Sequence, residues 1–173
     1  MTTSDVRSFA RAMLATDDSK AAFFQRLVLS GVVFAHGLQK ALGWFGGWGI
    51  EGTLNWFDTA LGVPAPLAAL VILSDSVGSI ALGLGLWSRF AALGTTLTMS
   101  GAILLFHAPN GFFMNWSGTQ AGEGFEFHLL VLALSVPIVV RGGGAHSLDR
   151  WLTARLGERR AAALATAKVQ PGW

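Results

Sequence analysis

Seven polar side chains interrupt stretches that are otherwise apolar: His36, Gln39, Lys40, Asp75, His107, Glu126 and His128. His36, Gln39 and Lys40 are spaced i, i+3, i+4, which places them on one face of a helix. Imidazoles and carboxyls can pass protons. An ammonium or an imidazole N–H can donate to a carbonyl oxygen. An ionisable group inside a membrane span costs roughly 2.5–3.5 kcal/mol at the bilayer centre, so such groups usually face protein, find a partner and mark a functional path. Each also has a plain reading. His36 can pack as a satisfied histidine, Lys40 can snorkel, and Asp75 can sit protonated against Ser74 or Ser79. None of the histidines falls in a dedicated ligand pattern such as H-E-x-x-H, so no metal site and no haem are expected. With no cysteine in the chain, thiolate and disulfide chemistry are excluded.

These residues need apolar helices to hold them. Hydrophobic residues make up 52% of the 173 and charged residues 13%, about half the charge of a typical soluble domain. The basic residues are split between the two tails, which does not make the broad patch a nucleic acid would need. Four windows approach the roughly 20 apolar residues that cross a bilayer: 21–42, 64–87, 90–107 and 125–140, the last being the shortest. They are too long, and too little alternating, for strands. The predicted fold is all-α, a polytopic four-transmembrane-helix bundle with an interfacial C-terminal helix. Its parts are an N-terminal segment 1–20, a membrane domain 21–141 and a basic tail 142–173. The mixed polar start, with Asp5, Asp17, Asp18 and Lys20, does not read as a cleavable signal.

The joints agree with these spans. Pro64 and Pro66 suit a first helical turn, Ser88-Arg89 allows only a tight antiparallel reversal, Pro137 can kink the fourth span, and Gly142–Gly144 stops it. Ser74 with Gly78, Ser79 with Gly83, and Gly94 with Thr98 are small pairs four apart, the spacing that lets membrane helices approach closely. Eleven of the twelve Lys and Arg residues fall on the side of the two tails and the 88–89 turn, and Lys40 alone on the other. The positive-inside rule then places both termini in the cytoplasm. The tail from Ser147 to Lys168 reads as a basic helix on the inner surface. Trp44, Trp48, Trp56, Phe112, Phe113 and Trp116 mark the outer boundary, and Trp87 and Trp151 the inner one.

Alternating helix direction brings His36, Lys40, His107, Glu126 and His128 to one outer depth. Asp75 lies eleven residues along its inward-running span, roughly 16 Å deep. A polar pocket near the outer leaflet is expected, with Phe112, Phe113 and Trp116 as an aromatic wall.

Three blocks and the exit segment are similar to the DoxX family of small membrane proteins: Ala35-His36-Gly37-Leu38-Gln39-Lys40 running on to Gly47, His107-Ala108-Pro109-Asn110-Gly111-Phe112-Phe113, Gly124-Phe125-Glu126-Phe127-His128, and Ser147-Leu148-Asp149-Arg150-Trp151. The resemblance covers residues 22 to 152. It implies a four-helix bundle in a bacterial cytoplasmic membrane, polar family positions at His36, Gln39, Lys40, His107, Asn110 and Glu126, and an association with quinone-linked oxidoreductases. Many members carry Glu where this chain has Asp75. On that resemblance the leading expectation is a redox-linked membrane subunit whose ligand is a quinone. With no flavin or dinucleotide fingerprint in the chain, electrons would come from a soluble or membrane redox partner. The residues do not decide whether the chain is itself an enzyme. Two other readings stand beside it. One is a non-catalytic docking or assembly subunit that works through its small-residue faces, with self-association among the options. The other is an ion pathway through Asp75.

Overall fold

The computed structural model describes residues 12–155 and 157. Among them there is no strand, and the chain runs through five principal helices. Helix α1 spans Lys20–Leu42. A short 3-10 turn at Trp44–Gly46 leads to α2, Gly49–Leu61. Helix α3 spans Ala65–Leu84, α4 spans Ser88–Asn110, and α5 spans Glu126–Arg141. Helices α1, α3 and α4 are long and apolar enough to cross a membrane. Helix α5 has 16 residues, about 24 Å of rise. It packs closely along α4, while α1 lies against α3.

The inward faces are small and apolar. Leu29 and Val33 of α1, Leu82 of α3, Ala91, Ala92 and Met99 of α4, and Val131 and Ile138 of α5 form the core. Leu67, Leu70 and Val77 of α3, Leu97 and Leu104 of α4, and Leu130 of α5 point outward and are exposed. Where small residues face a neighbouring helix the backbones approach closely, and close packing rather than burial from water is what joins helices in lipid. Gly94 backs onto Ser74 across α3 and α4, where an added Cβ would come 2.7 Å from the serine oxygen. Gly83 backs onto Ser30 of α1 at 2.6 Å in the same way. A Cβ on Gly78 would meet only its own helix.

Local signals explain the helix ends. Ser19 caps α1 by accepting from the Ala22 amide at 3.1 Å, and Gly43 ends it in the left-handed conformation at φ 73°. The reversal between α3 and α4 is held from elsewhere. The Asp149 carboxylate accepts from the amides of Trp87 at 2.6 Å and Ser88 at 2.8 Å. It thereby satisfies donors that the first turn of a helix otherwise leaves open. Trp87 adopts φ 51° there, a conformation unusual for a bulky side chain.

The same end is tied together by Arg26, fully buried on α1. Its guanidinium donates to the carbonyls of Leu82, Gly83, Gly143, Ala145 and His146, at 2.6–3.4 Å. It therefore seals the end of α3 and the loop after α5 together. Arg26 counts among the basic residues assigned to the inner side, yet it is an internal clamp rather than a surface charge. Thr16 and Ser19 bond to the loop after α5, Thr153 reaches the Leu14 carbonyl, and Arg150 pairs with Asp18. Both ends of the described chain thus lie at one end of the bundle. The predicted tail helix is seen as helical residues 148–155; its continuation to Lys168 lies outside the described residues.

The structure departs from expectation in three places. The connection 38–64 contains helix α2. Helix α4 begins two residues earlier than its apolar window and ends three later. Finally, α3 and α4 each contain a π turn, Ser74–Gly78 and Ile103–His107.

Candidate functional site

Lys40 Nζ lies 2.9 Å from Asp75 Oδ2. Asp75 is fully buried and Lys40 is one-quarter exposed. Asp75 sits in the π turn of α3, where one extra residue per turn rotates the side chain relative to a regular helix. Gly37 makes the pairing possible. A Cβ at that position would overlap the Asp75 carbonyl, so only glycine lets α1 lie against the π turn. Ser79 donates to the Asp75 carbonyl at 2.7 Å and Ser76 to that of Ile72 at 2.5 Å, which occupies carbonyls that the widened turn loosens. Asp75 Oδ1 and Ser74 Oγ have no hydrogen-bond partner among the described residues. The Lys40 ammonium at Oδ2 is the ion-pair partner of this carboxylate.

Lys40 faces a cavity of about 260 Å³ lined by Gln39, Lys40, Gly46, Gly47, Trp48, Thr53, Trp56 and Phe57. Thr53, Trp56 and Phe57 are one face of α2, so the unanticipated helix supplies the cavity's apolar wall. Thr53 anchors that wall to α1 by donating to the Lys40 carbonyl at 3.3 Å. Gly47 lets the 43–48 turn press onto α1, since a Cβ there would collide with the Gln39 backbone. Gln39 donates to the Phe45 carbonyl at 3.4 Å, and its Oε1 faces His36 Nδ1 at 3.1 Å. With the amide so oriented, His36 Nδ1 carries the hydrogen and Nε2 presents a lone pair. His36 is exposed but close enough to feel the charges of both Lys40 and Asp75.

A second group adjoins the first. His107, in the π turn of α4, stacks on His128 of α5 with ring centroids 4.0 Å apart. His107 Nδ1 donates to the Glu123 carbonyl at 2.8 Å, and Asn110 donates to the same oxygen at 3.1 Å. His128 is buried with Nδ1 unpartnered, and it feels both His107 and His36. Phe106 links the groups: its ring lies 5.1 Å from Trp56 of the cavity wall and 4.9 Å from His107. Among the described residues, no group of three His, Cys, Asp or Glu side chains is placed to hold a metal ion.

The remaining sequence candidates lie around the 111–125 loop. Glu126 accepts from Trp116 Nε1 at 3.2 Å. Phe112 stacks edge-on with Phe113 and Phe125, at 5.1 and 5.6 Å. Phe112, Phe113 and Trp116 are exposed, Trp116 to 86%. The aromatic rings beside Lys40 are instead Trp48, Trp56 and Phe57. Trp48 and Trp56 were legible only as boundary aromatics. Phe57 carried no signal and Gly37 was legible only within the family-like block, because their roles depend on how two segments dock.

The DoxX family model matches residues 21–108 of the chain. The chain is 28% identical, over 70% of its own length and 80% of the relative's, to the "Putative oxidoreductase CatD" of Bacillus subtilis (strain 168). No solved structure matches.

Proposed function

Because the chain belongs to the DoxX family, we propose that it is a redox-linked, quinone-interacting subunit of the bacterial cytoplasmic membrane, working with a partner oxidoreductase. The observation that carries this reading is the Lys40–Asp75 pair opening onto an aromatic-walled cavity. The cavity, about 260 Å³, is at the small end of ligand pockets and suits a head group rather than a whole amphiphile. Trp48, Trp56 and Phe57 offer flat apolar faces to a planar ring. Lys40 and the Gln39 amide offer donors to a carbonyl oxygen. Reduction of a quinone takes two electrons and two protons. In this reading Asp75, through its pair with Lys40, and His36, through its hydrogen bond with Gln39, supply or return the protons, while electrons come from the partner. The relative's printed name, an oxidoreductase, agrees with such a setting.

The membrane arrangement proposed with it has four spans, α5 being the fourth, and both termini in the cytoplasm. The shared end of the two tails and the basic residues around it support this.

The test is binding of a short-chain quinone analogue to the purified protein in lipid nanodiscs, read by quenching of tryptophan fluorescence. We expect saturable quenching, and weakening by about tenfold in Lys40→Gln and in the charge-balanced Lys40→Gln/Asp75→Asn double variant, the scale of one charge-assisted hydrogen bond. Absent quenching, or equal quenching in all three folded proteins, defeats the proposal.

A further inference from the structure

We infer that Asp75 sets the charge preference of the cavity, so that it takes neutral carbonyl-bearing head groups and rejects carboxylate amphiphiles. The inference rests on the quinone reading of the same site and adds a selection rule to it.

The charge inventory is short. Among the described residues, Lys40 is the cation lining the cavity and no acid lines it. The other described cations, Lys20, Arg26, Arg89, Arg141, Arg150 and Arg155, belong to the opposite end of the bundle. On α2, Glu51 and Asp58 are exposed and lie off the face formed by Thr53, Trp56 and Phe57. His36, one turn before Lys40 on α1, is hydrogen-bonded to Gln39 and is not among the residues lining the cavity.

An ammonium alone at the edge of an apolar cavity would attract a fatty-acid carboxylate, whose charged head and apolar chain match it. Asp75, at 2.9 Å, prevents this. The pair carries one exchangeable proton between two bases. Whether that proton sits on nitrogen or oxygen, the sum of their charges is zero. A carboxylate entering the cavity would meet no net positive charge, because Asp75 behind Lys40 cancels it, and a like charge held just beyond the lining is an effective way to refuse a ligand. A neutral carbonyl oxygen still finds an N–H of Lys40 free, since the ammonium has three and Asp75 engages one. The buried acid is thus a rejection element as much as a partner.

The experiment compares 2-bromoundecanoate with its methyl ester, two probes of equal chain length whose bromine sits beside the head group, where it quenches Trp48 and Trp56 on contact. In nanodiscs the native protein is expected to bind the ester at least about tenfold more tightly than the acid, and folded Asp75→Asn to reverse that order, each by the scale of one charged contact. The double variant Lys40→Gln/Asp75→Asn should show no gain for the acid. The inference is overturned if the native protein prefers the acid, or if folded Asp75→Asn leaves the ratio unchanged. Should Asp75→Asn not fold, the native ratio decides the matter. Because neither probe is a quinone, absent binding of the quinone analogue counts against the proposed function alone.

Discussion

Lys40 and Asp75 are unequal partners. Asp75 has no water to turn to, whereas Lys40 is one-quarter exposed and borders a cavity. Removing one member of a buried pair leaves the other's desolvation uncompensated. Lys40→Met is therefore expected to destabilise the protein by more than Asp75→Asn, by about 2 kcal/mol. Thermal unfolding in detergent, with both variants side by side, measures the difference, and equal losses would show that the carboxylate is not desolvated as the structure has it. Arg26 is a harder case for substitution. Lysine has three donors on a single nitrogen and cannot span five carbonyls held by a planar guanidinium. Arg26→Lys should cost about 2–4 kcal/mol in the same assay. From sequence, Asp75 and Lys40 were both legible as ionisable residues in or near spans, but not as partners. The depth estimate set Asp75 below Lys40, and the length of the lysine side chain closes that gap. Arg26 read as one more inner-side charge, because a sequence does not reveal which carbonyls a neighbouring loop will offer.

At the scale of elements, the apolar runs located α1, α3 and α4 to within a few residues, since a helix that must cross lipid announces itself by length alone. Helix α2 was not legible. Residues 49–61 form a short amphipathic segment between two spans, and its apolar face is used against α1 rather than lipid. The π turns were not legible either, because a single inserted residue shifts the helical phase without changing composition. Yet these two turns carry Asp75 and His107, so the pocket is built where periodicity breaks. The glycines give a controlled comparison. Gly37→Ala would drive α1 from the π turn and should lower stability and separate Lys40 from Asp75. Gly31→Ala and Gly101→Ala meet nothing within 4 Å and should be neutral or stabilising by about 0.5–1 kcal/mol, the helix preference of alanine over glycine. If Gly37→Ala melts with the native protein, the close approach is not real. Asp149→Ala should cost about 1–2 kcal/mol by uncapping α4, and hydrogen exchange at the Trp87 and Ser88 amides should rise with it.

For the whole molecule the open question is which way it faces. The chain has no cysteine, so single cysteines can be placed without background. Asp17→Cys and Arg155→Cys should be protected from an impermeant maleimide in intact cells, and Thr119→Cys, on the 111–125 loop, should react. Labelling of one tail but not the other would remove α5 as a span and undo the convergence of α1, α4 and α5 at one depth. The bundle's all-α form and its three long apolar helices were readable from composition and apolar lengths, and the sidedness expected from the basic residues is what the labelling tests. What could not be read is the clasp between the tails, because Thr153 with Leu14 and Arg150 with Asp18 join residues more than a hundred positions apart.

The Arg26 clamp has a consequence for biosynthesis. Three of its five acceptors, Gly143, Ala145 and His146, are made more than a hundred residues after it. During translation α1 must therefore wait in the bilayer with a cation whose partners do not yet exist, at a cost of up to roughly 3 kcal/mol. A nascent chain arrested before Gly143 should remain dependent on the insertion machinery and be open to membrane proteases, whereas release past His146 should end that exposure. Arrival of the 143–146 loop, rather than emergence of the last apolar segment, becomes the moment at which the protein is secure.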